Sequence, residues 1–353
     1  MHKPTMVYDI GGTHLRCGLY NPSDDRLVRT LKRRTPHFAD FATPSQTSVR
    51  EALLKEIKDI GDEALQGNQP DSVSVAFPGP IDPTGNVLTA PTIWGQADDK
   101  PVQILSDLRL LWPRRKVRIL NDVSAAGYYY LRHPAEDLCV VTVSSGIGHK
   151  VFVNGTPIVG NGGRGGEIGH LRIGFSSDAP LCECGERGHL AAVSSGRASQ
   201  WQAARLAIEK PAEFSQSALA SDKLPISSIS NEKIAKAFRE GDRWTATLID
   251  RMAKPLGQVL AGIHLTVGVE RFVIVGGFAT ALGDGYRKLL VNSAAASTWH
   301  LGTDWSSIIE LGTESINAGL IGAGRYATCS GNTVHGFCAS HENHSMDLAR
   351  NTI

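Results

Sequence analysis

Residues 6–21 read MVYDIGGTHLRCGLYN, an apolar strand, a glycine turn and a second strand. Residues 139–155, CVVTVSSGIGHKVFVNG, repeat that order. Apolar runs separated by Gly-rich turns are typical of β-hairpins. The pair predicts a chain in which each half opens with the same unit, although two unrelated hairpins would give a similar pattern.

Three further apolar stretches end in turn residues or polar residues. They are SVSVAFPGPID at 72–82, KVRILND at 116–122 and RFVIVGGFA at 271–279. Helical patterns lie between the predicted strands, the longest at about 244–265, and this alternation indicates an α/β class. Open α/β sheets bind ligands beyond the ends of their strands. We therefore expect a cleft lined by the residues at these strand tips.

The composition argues against several classes of function. The 353 residues carry 36 basic and 35 acidic side chains, a formal net charge of +1. Nucleic-acid binding needs a basic surplus that this chain lacks. No run approaches the ~18 apolar residues of a membrane span, and the first residues, MHKPTMVYDIGG, contain no cleavable apolar region. We expect a cytoplasmic protein of two lobes, with no nucleic acid and no membrane as partner.

The first glycine turn has the composition of a phosphate-binding loop. Gly11 and Gly12 let backbone N–H groups approach phosphate oxygens, and Thr13 adds a hydroxyl donor. Asp9, at the end of the strand, offers the oxygen ligand that Mg²⁺ prefers. The motif predicts a site for ATP and Mg²⁺, with an ordinary glycine hairpin as the alternative.

The second glycine turn matches the first, and its Ser145 and Gly146 predict a second phosphate clamp. Lys150 follows in the next strand, where we expect a solvent-facing side chain, with a phosphate contact as the alternative. Gly276 and Gly277 stand at the end of the buried strand that begins at Arg271. These two glycines are predicted to pass close to the base or ribose of the nucleotide, although glycine after a strand is common.

Asn121 and Asp122 stand at the tip of an apolar strand. A hydroxyl is a poor nucleophile at neutral pH, and phosphoryl transfer to it is helped by a carboxylate that accepts its proton. Asp122 fits that general base, and Asn121 can orient the hydroxyl. The alternative is that both residues only cap the helix that follows.

A Cys/His cluster follows in the second half of the chain. His170, Cys182, Cys184 and His189 are the ligand types of a closed tetrahedral zinc site. We predict a structural Zn²⁺ that folds a loop without a core of its own. Glu167 lies one helical turn before His170, so both side chains can face a bound sugar. Chance spacing and a surface Glu167 are the alternatives.

Taken together, these motifs resemble the ROK family (repressors, open reading frames and sugar kinases) of the actin–hexokinase superfamily. The resemblance runs from about Met6 to Tyr326 through DIGGT, FPGPID, LND, SSGIG, GGEIGH, CECGERGH, VIVGGF and NAGLIGA. It implies a two-lobed actin-like ATPase (ribonuclease H-like) fold, each lobe a mixed sheet flanked by helices, with a cleft between the lobes. The implied parts are an N-terminal lobe at 1–118 joined by a C-terminal helix at about 314–326, a C-terminal lobe at 119–313, and a flexible tail at 327–353.

The same resemblance implies an ATP-dependent kinase that phosphorylates the 6-hydroxyl, or an equivalent primary hydroxyl, of a hexose or hexose-like ring. It implies Asp122 as the base. The implied acceptor contacts are Gly79, Asn121, Asp122, Glu167 and His170. Glucose-type sugars, aminosugars and cyclitols are the candidate acceptors, and a homodimer is the expected assembly.

Three positions depart from the family pattern. His189 stands in place of a zinc cysteine, which zinc chemistry tolerates. Ala191 replaces a glutamate that contacts the sugar near C1 and C2, and a buried hydroxyl without its partner costs about 1–3 kcal/mol. We therefore expect an acceptor that differs from glucose there, such as an aminosugar or a carbocyclic analogue. Finally, His149 and Lys150 replace the Gly-Gly of the second phosphate loop.

Three other functions fit parts of the sequence. A repressor of the same family would carry a helix-turn-helix before the first glycine loop, and Asp9 leaves no room for one. A sugar-binding sensor without turnover agrees with Ala191, but it would not need a base at Asp122. An actin-like or chaperone ATPase is not expected to carry the predicted zinc site.

Overall fold

The fold is built on two five-stranded mixed sheets. The computed structural model describes residues 3–95, 100–222, 229–299, 301–313 and 315–329. The first sheet contains β1 (Thr5–Ile10), β2 (His14–Asn21), β3 (Arg26–Arg34), β4 (Ser72–Phe77) and β5 (Lys116–Asn121). The second contains β6 (Leu138–Val143), β7 (Ile147–Val153), β8 (Thr156–Pro157), β9 (Phe272–Val275) and β10 (Ile309–Leu311).

The two sheets repeat one topology. Their strand orders are β3-β2-β1-β4-β5 and β8-β7-β6-β9-β10. In each sheet the hairpin strands pair antiparallel and the later strands pair parallel. The two glycine turns quoted above therefore occupy equivalent places, as the β1–β2 and β6–β7 connections. The repeated hairpin in the sequence corresponds to a repeated sheet in the fold.

Helices cover the faces of both sheets. In chain order they are α1 (Gln46–Leu65), α2 (Pro91–Trp94), α3 (Ile104–Leu111), α4 (Asp122–Tyr130), α5 (Leu190–Ser194), α6 (Ala198–Glu209), α7 (Pro211–Phe214), α8 (Asn231–Arg239), α9 (Arg243–Val267), α10 (Gly277–Leu282), α11 (Asp284–Ala296), α12 (Trp305–Ile308) and α13 (Ala318–Thr328). The long helix expected at about 244–265 is α9, and the predicted last helix is α13.

Each sheet has its own apolar core on its outer face. On the first sheet, α1 buries Val49, Leu53 and Ile57, whose four-residue spacing places them on one side of the helix. On the second, α9 buries Trp244 and Leu248 in the same way, and α11 packs alongside it. The outer helices thus leave the opposite face of each sheet for the centre of the molecule.

The helices α4 and α13 form a shared layer between the two sheets. The buried cluster around them joins Val7 of the first sheet to Val140 and other residues of the second. Gly322 of α13 lies so close to α4 that a Cβ there would overlap the carbonyl oxygen of Ala125. Arg325 of α13 also donates to the carbonyl oxygen of Tyr129 at 2.6 Å, at the end of α4. This layer holds the two sheets together.

The predicted division into lobes remains a proposal. The boundary between residues 118 and 119 falls inside β5, and all six residues of β5 pair with β4. A strand paired along its whole length belongs to one sheet, so the change of lobe is better placed after Asn121. Of the predicted tail at 327–353, residues 330–353 lie outside the described residues. Among the helices that the structure describes, none combines the length and hydropathy that a bilayer span requires.

The close approach of α13 to α4 predicts the effect of one methyl group. Gly322→Ala should destabilise the protein, because the added Cβ has no space against the Ala125 carbonyl and overpacking costs about 1–3 kcal/mol. Thermal unfolding of the purified variant measures the loss.

Gly262→Ala in α9 is the matched control. Gly262 lies on the exposed side of that helix, where an added Cβ meets no atom within 4 Å. Alanine is favoured over glycine in a helix by about 1 kcal/mol, so this variant should be as stable as the parent or more stable. Equal melting temperatures for Gly322→Ala and the parent would contradict the packing described here.

Candidate active site

Asn121 and Asp122 stand where β5 ends and α4 begins, and they face the space between the sheets. Asn121 Oδ1 accepts the N–H groups of Val123 (3.0 Å) and Ser124 (3.1 Å), so this side chain caps α4. Its Nδ2 donates to Gly79 O at 3.0 Å and to Asp122 Oδ1 at 2.9 Å. The capping interpretation therefore holds for Asn121, and the same bonds also orient the carboxylate of Asp122.

Asp122 is held with one oxygen engaged and the other open. Oδ1 also accepts the N–H of Val123 at 2.8 Å, whereas Oδ2 has no hydrogen-bond partner among the residues that the structure describes. Burial raises the pKa of Asp122 from its usual range to about 7, and the negative charges of Asp9 and Glu167 add to this rise. The Val123 N–H and the charge of Lys150 oppose it. A carboxyl with a pKa near 7 can take up a proton at neutral pH.

Asp9 lies at the end of β1 and faces the same space. Arg16, its cross-strand neighbour in the β1–β2 register, donates from Nη1 to Asp9 Oδ2 at 3.1 Å. Burial raises the pKa of Asp9, and Arg16 opposes that rise. The two residues line a cavity of about 520 Å³ together with Gly276 and Ala318. This cavity joins the first sheet, the second sheet and α13.

The first glycine turn is a tight hairpin beside Asp9. Gly11 N–H donates to His14 O at 2.9 Å. Thr35 supports the turn from the end of β3, donating its hydroxyl to Gly11 O at 2.7 Å and its N–H to Thr13 O at 3.0 Å. A Cβ on Gly12 would press against Thr92 at 2.9 Å. The predicted residues of this loop thus lie together with Asp9 at the mouth of the cleft.

The second glycine turn borders a different cavity. Ser145 and Gly146 line a space of about 290 Å³ together with Cys182, Ala191 and Trp201. Gly276 precedes α10 and lines the larger cavity with Asp9, and Gly277 is the first residue of α10. The structure therefore separates the predicted phosphate residues into two neighbouring groups.

Lys150 is buried, so the expectation of a solvent-facing lysine was wrong. Its side chain is 2% exposed and its Nζ lies 3.2 Å from Glu167 Oε1. The cause is that residues 165–167 cover this face of β7 and accept the hydrogen bonds of the ammonium group. The adjacent His149 is also buried, and its Nδ1 accepts the N–H of Ile168 at 3.3 Å. Burial lowers the pKa of His149 to about 4.

The four residues of the Cys/His cluster come together. Their ligand atoms all lie within 4.8 Å of one another; they belong to His170, Cys182, Cys184 and His189. Cys184 Sγ is 3.2 Å from His189 Nδ1, and Cys182 Sγ is 3.9 Å from His170 Nδ1. Zinc bonds of about 2.0–2.3 Å place tetrahedral ligands within about 4 Å of each other. The donor set and these two distances fit a four-coordinate ion, and a bound ion would draw the wider pairs closer. His170 ends a short 3₁₀ helix, Ile168–His170, that begins after Glu167.

The family model of the ROK family matches residues 5–327. The chain belongs to the ROK family. A C(7)-cyclitol 7-kinase of Streptomyces hygroscopicus is 35% identical over 291 residues, 81% of this chain and 82% of that relative. An N-acetylmannosamine kinase of Vibrio cholerae is 26% identical over 290 residues, 81% of this chain and 87% of that relative. The family and the class of carbohydrate kinase, both predicted from the sequence, are confirmed.

A solved ROK glucokinase from Streptomyces griseus, in complex with glucose and AMPPNP, has the same fold. The TM-score is 0.68 at 24% identity, over 91% of this chain and 98% of that one. The two-lobed actin-like fold predicted from the motifs is therefore confirmed.

Sequence reasoning did not find Arg16, and it did not predict that Lys150 is buried. Arg16 lies opposite Asp9 in the hairpin, and counting the register back from the glycine turn would have placed it there. Lys150 stands in IGHKVFV, where apolar residues flank the polar pair on both sides. That pattern is a sign of a strand buried on both faces.

Proposed function

We propose that this protein transfers the γ-phosphoryl group of ATP to the primary 7-hydroxyl of a C7 cyclitol. The observation that carries the proposal is the open Oδ2 of Asp122, on a carboxyl with a raised pKa, in the cleft between the two sheets. The acceptor class is supported by the 35% identical C(7)-cyclitol 7-kinase and by Ala191, which removes a carboxylate that binds ordinary hexoses in the family.

Asp122 acts as the general base. The acceptor oxygen forms a bond to the γ-phosphorus as the bond from that phosphorus to the β–γ bridging oxygen breaks. ADP leaves with the bonding electron pair, and the hydroxyl proton goes to Asp122 Oδ2. Asn121 donates a hydrogen bond to Oδ1, so Oδ2 is the oxygen that faces the acceptor in this proposal. General-base help of this kind is worth about 10²–10⁴ in rate.

The nucleotide lies on the Asp9 side of the cleft. The backbone of Gly11 and Gly12 and the hydroxyl of Thr13 bind phosphate oxygens, and Gly276 leaves room for the ribose or base. Ser145 and Gly146 approach the phosphates from the second sheet. Mg²⁺, when bound with ATP near Asp9, neutralises charge on the transferring phosphoryl group.

The acceptor lies between Asp122 and the loop that carries Glu167 and His170. Gly79 and Asn121 close the pocket from the first sheet, where they are already bonded to each other. A carbocyclic ring has no ring oxygen and no anomeric hydroxyl, so it differs from a hexose next to C1. That is the region where Ala191 offers a methyl group instead of a carboxylate. A C7 cyclitol keeps an exocyclic primary hydroxyl, the group that Asp122 activates.

His170, Cys182, Cys184 and His189 hold a structural Zn²⁺ in this proposal. Two thiolates and two imidazoles fill a tetrahedral site and leave no position for a reacting water. The ion ties the Cys182–His189 hairpin to the loop of the acceptor pocket. A homodimer, implied by the family resemblance, and a cytoplasmic location, expected from the sequence, remain predictions.

An acceptor panel tests the proposed substrate. We expect ADP release with a C7 cyclitol that carries a free 7-hydroxyl to exceed that with glucose, N-acetylmannosamine or an aminosugar, in kcat/KM. Ala191→Glu should shift the ratio of kcat/KM towards the hexoses by about tenfold, because a hydrogen bond to a charged group is worth about 1.5–3 kcal/mol.

Ala295→Glu is the matched control for that shift. Ala295 is exposed on α11 and borders neither of the two cavities, so the variant adds the same charge away from the acceptor and should leave the acceptor ratio unchanged. An acceptor profile that Ala191→Glu does not alter would contradict the pocket assignment. Binding of sugars or cyclitols without any turnover would favour a sensor instead of a kinase.

Asp122→Asn should separate stability from turnover. Folding raises the pKa of Asp122 from 3.8 to about 7. The protonated carboxyl therefore contributes its full share of the folding stability below pH 4, and this contribution is lost as the pH rises to 7. Asparagine avoids this loss. We expect the ligand-free variant to melt higher than the parent at pH 8, and the difference to vanish towards pH 4.

The same variant should lose at least about 100-fold in kcat, since it cannot accept the proton. In the parent, kcat/KM should fall as the pH drops below about 7, where Asp122 becomes protonated. Kinetics across pH 5–9 and melting curves of both proteins provide the test. Turnover near the parent rate in Asp122→Asn would remove Asp122 from the role of base.

Cys184→Ser should lose zinc and thermal stability together, because a structural zinc site contributes directly to the free energy of folding. Metal analysis of the purified protein and melting with and without a chelator measure both. Glu183→Ser is the control: it changes the same loop, and the exposed ion pair of Glu183 with Arg197 is worth about 0–1 kcal/mol. Parent protein that contains no zinc and melts identically in chelator would refute the metal site.

A further inference from the structure

The ammonium group of Lys150 is buried in the second sheet. Its side chain is 2% exposed, and it extends from the middle of β7. Burying an ammonium group carries a large desolvation cost unless its donors meet acceptors. Apolar packing alone would not keep a lysine at this position, so its partners decide what it does.

Among the described residues, the hydrogen-bond partners of the Lys150 ammonium all lie in one short loop. Nζ donates to Gly165 O at 2.8 Å, to Gly166 O at 3.4 Å and to Glu167 Oε1 at 3.2 Å. Three donors thus meet three acceptors, which is the full capacity of an ammonium group. No donor remains for a phosphate, so the phosphate contact considered as an alternative for Lys150 does not fit.

The loop is shaped to receive this lysine. Gly166 has a φ of 92°, a conformation that favours glycine. A Cβ on Gly166 would also overlap Lys150 Nζ. The lysine and the glycine loop are therefore complementary, and the carbonyl oxygens of Gly165 and Gly166 both accept from the ammonium group.

Glu167 is held at one oxygen and open at the other. Lys150 takes Oε1, while Oε2 has no hydrogen-bond partner within the part of the chain that the structure describes. The Glu167 side chain is 35% exposed, and its charge acts on Asp122. The carboxylate is thus fixed in direction and faces the cleft with one unpaired oxygen.

We propose that Lys150 is a positioning residue for the acceptor, fixing Glu167 so that its Oε2 receives a ring hydroxyl of the polyol next to Asp122. This inference rests on the proposed function, in which the acceptor binds between Asp122 and Glu167. Since Ala191 supplies no second carboxylate, recognition of the ring depends on the orientation of Glu167. Lys150 then determines acceptor affinity without touching the acceptor.

Lys150→Met tests the proposal by comparing the KM values of the two substrates. With a C7 cyclitol and ATP we expect the acceptor KM to rise by about tenfold or more, as for loss of a charge-assisted hydrogen bond. The KM for ATP should change less than about twofold, because Lys150 has no donor left for a phosphate. Val151→Ala is the matched control, a truncation on the opposite face of the same strand that should alter neither KM.

A double-mutant cycle shows whether Lys150 acts through Glu167. In a Glu167→Gln background, Lys150→Met should change kcat/KM by less than about threefold, because the partner it positions is already altered. A full additional loss in that background would overturn the proposal and assign Lys150 a purely structural role. Should Lys150→Met fail to fold, Lys150→Gln, which retains a donor, replaces it throughout the cycle.

Hydrogen exchange separates this proposal from the proposed function. In ligand-free protein, amides 165–168 should exchange faster in Lys150→Met than in the parent or in Val151→Ala. Unchanged exchange there overturns the role of Lys150 whatever the enzyme phosphorylates. If the parent turns over no acceptor, the proposed function fails on its own, and the exchange result still decides whether Lys150 holds the loop.

Discussion

The contact between α4 and α13 is the constraint on which the rest of the structure depends. The two helices fill the space between the sheets, and the absence of a side chain at Gly322 lets their backbones touch. Because α4 begins at Asp122, the same packing that joins the sheets also sets the depth of that carboxylate in the cleft. The position of the candidate base therefore depends on the packing of α4 against α13.

The cleft places several charges close together, and each is controlled by burial and a partner. Asp9 has Arg16, Glu167 has Lys150, and Asp122 has only neutral donors. The unpaired carboxyl is the one whose pKa rises to about 7. A pKa in this range suits a group that must take up a proton at neutral pH. The distribution of partners therefore distinguishes the two carboxylates that have a cationic partner from Asp122, the proposed base.

Much of the fold was predictable because it follows from local patterns. Turn residues indicate the hairpins at 6–21 and 139–155, and the helical period indicates the long helix α9. Ligand chemistry and spacing indicate the cluster from His170 to His189. What could not be predicted depends on contacts between segments that are distant in the sequence. Lys150 is buried because residues 165–167 cover this face of β7, a contact that local sequence patterns do not show. The division of the phosphate residues between two cavities is likewise a property of the assembled sheets.

The pairing of Asp9 with Arg16 has a consequence for how the cleft is filled. The carboxylate that would attract a divalent ion is already neutralised from within the chain. In the proposed complex, a metal ion beside Asp9 would add positive charge next to the Arg16 guanidinium. A triphosphate would supply negative charge for both cations. Charge balance would then favour binding of the metal together with the nucleotide.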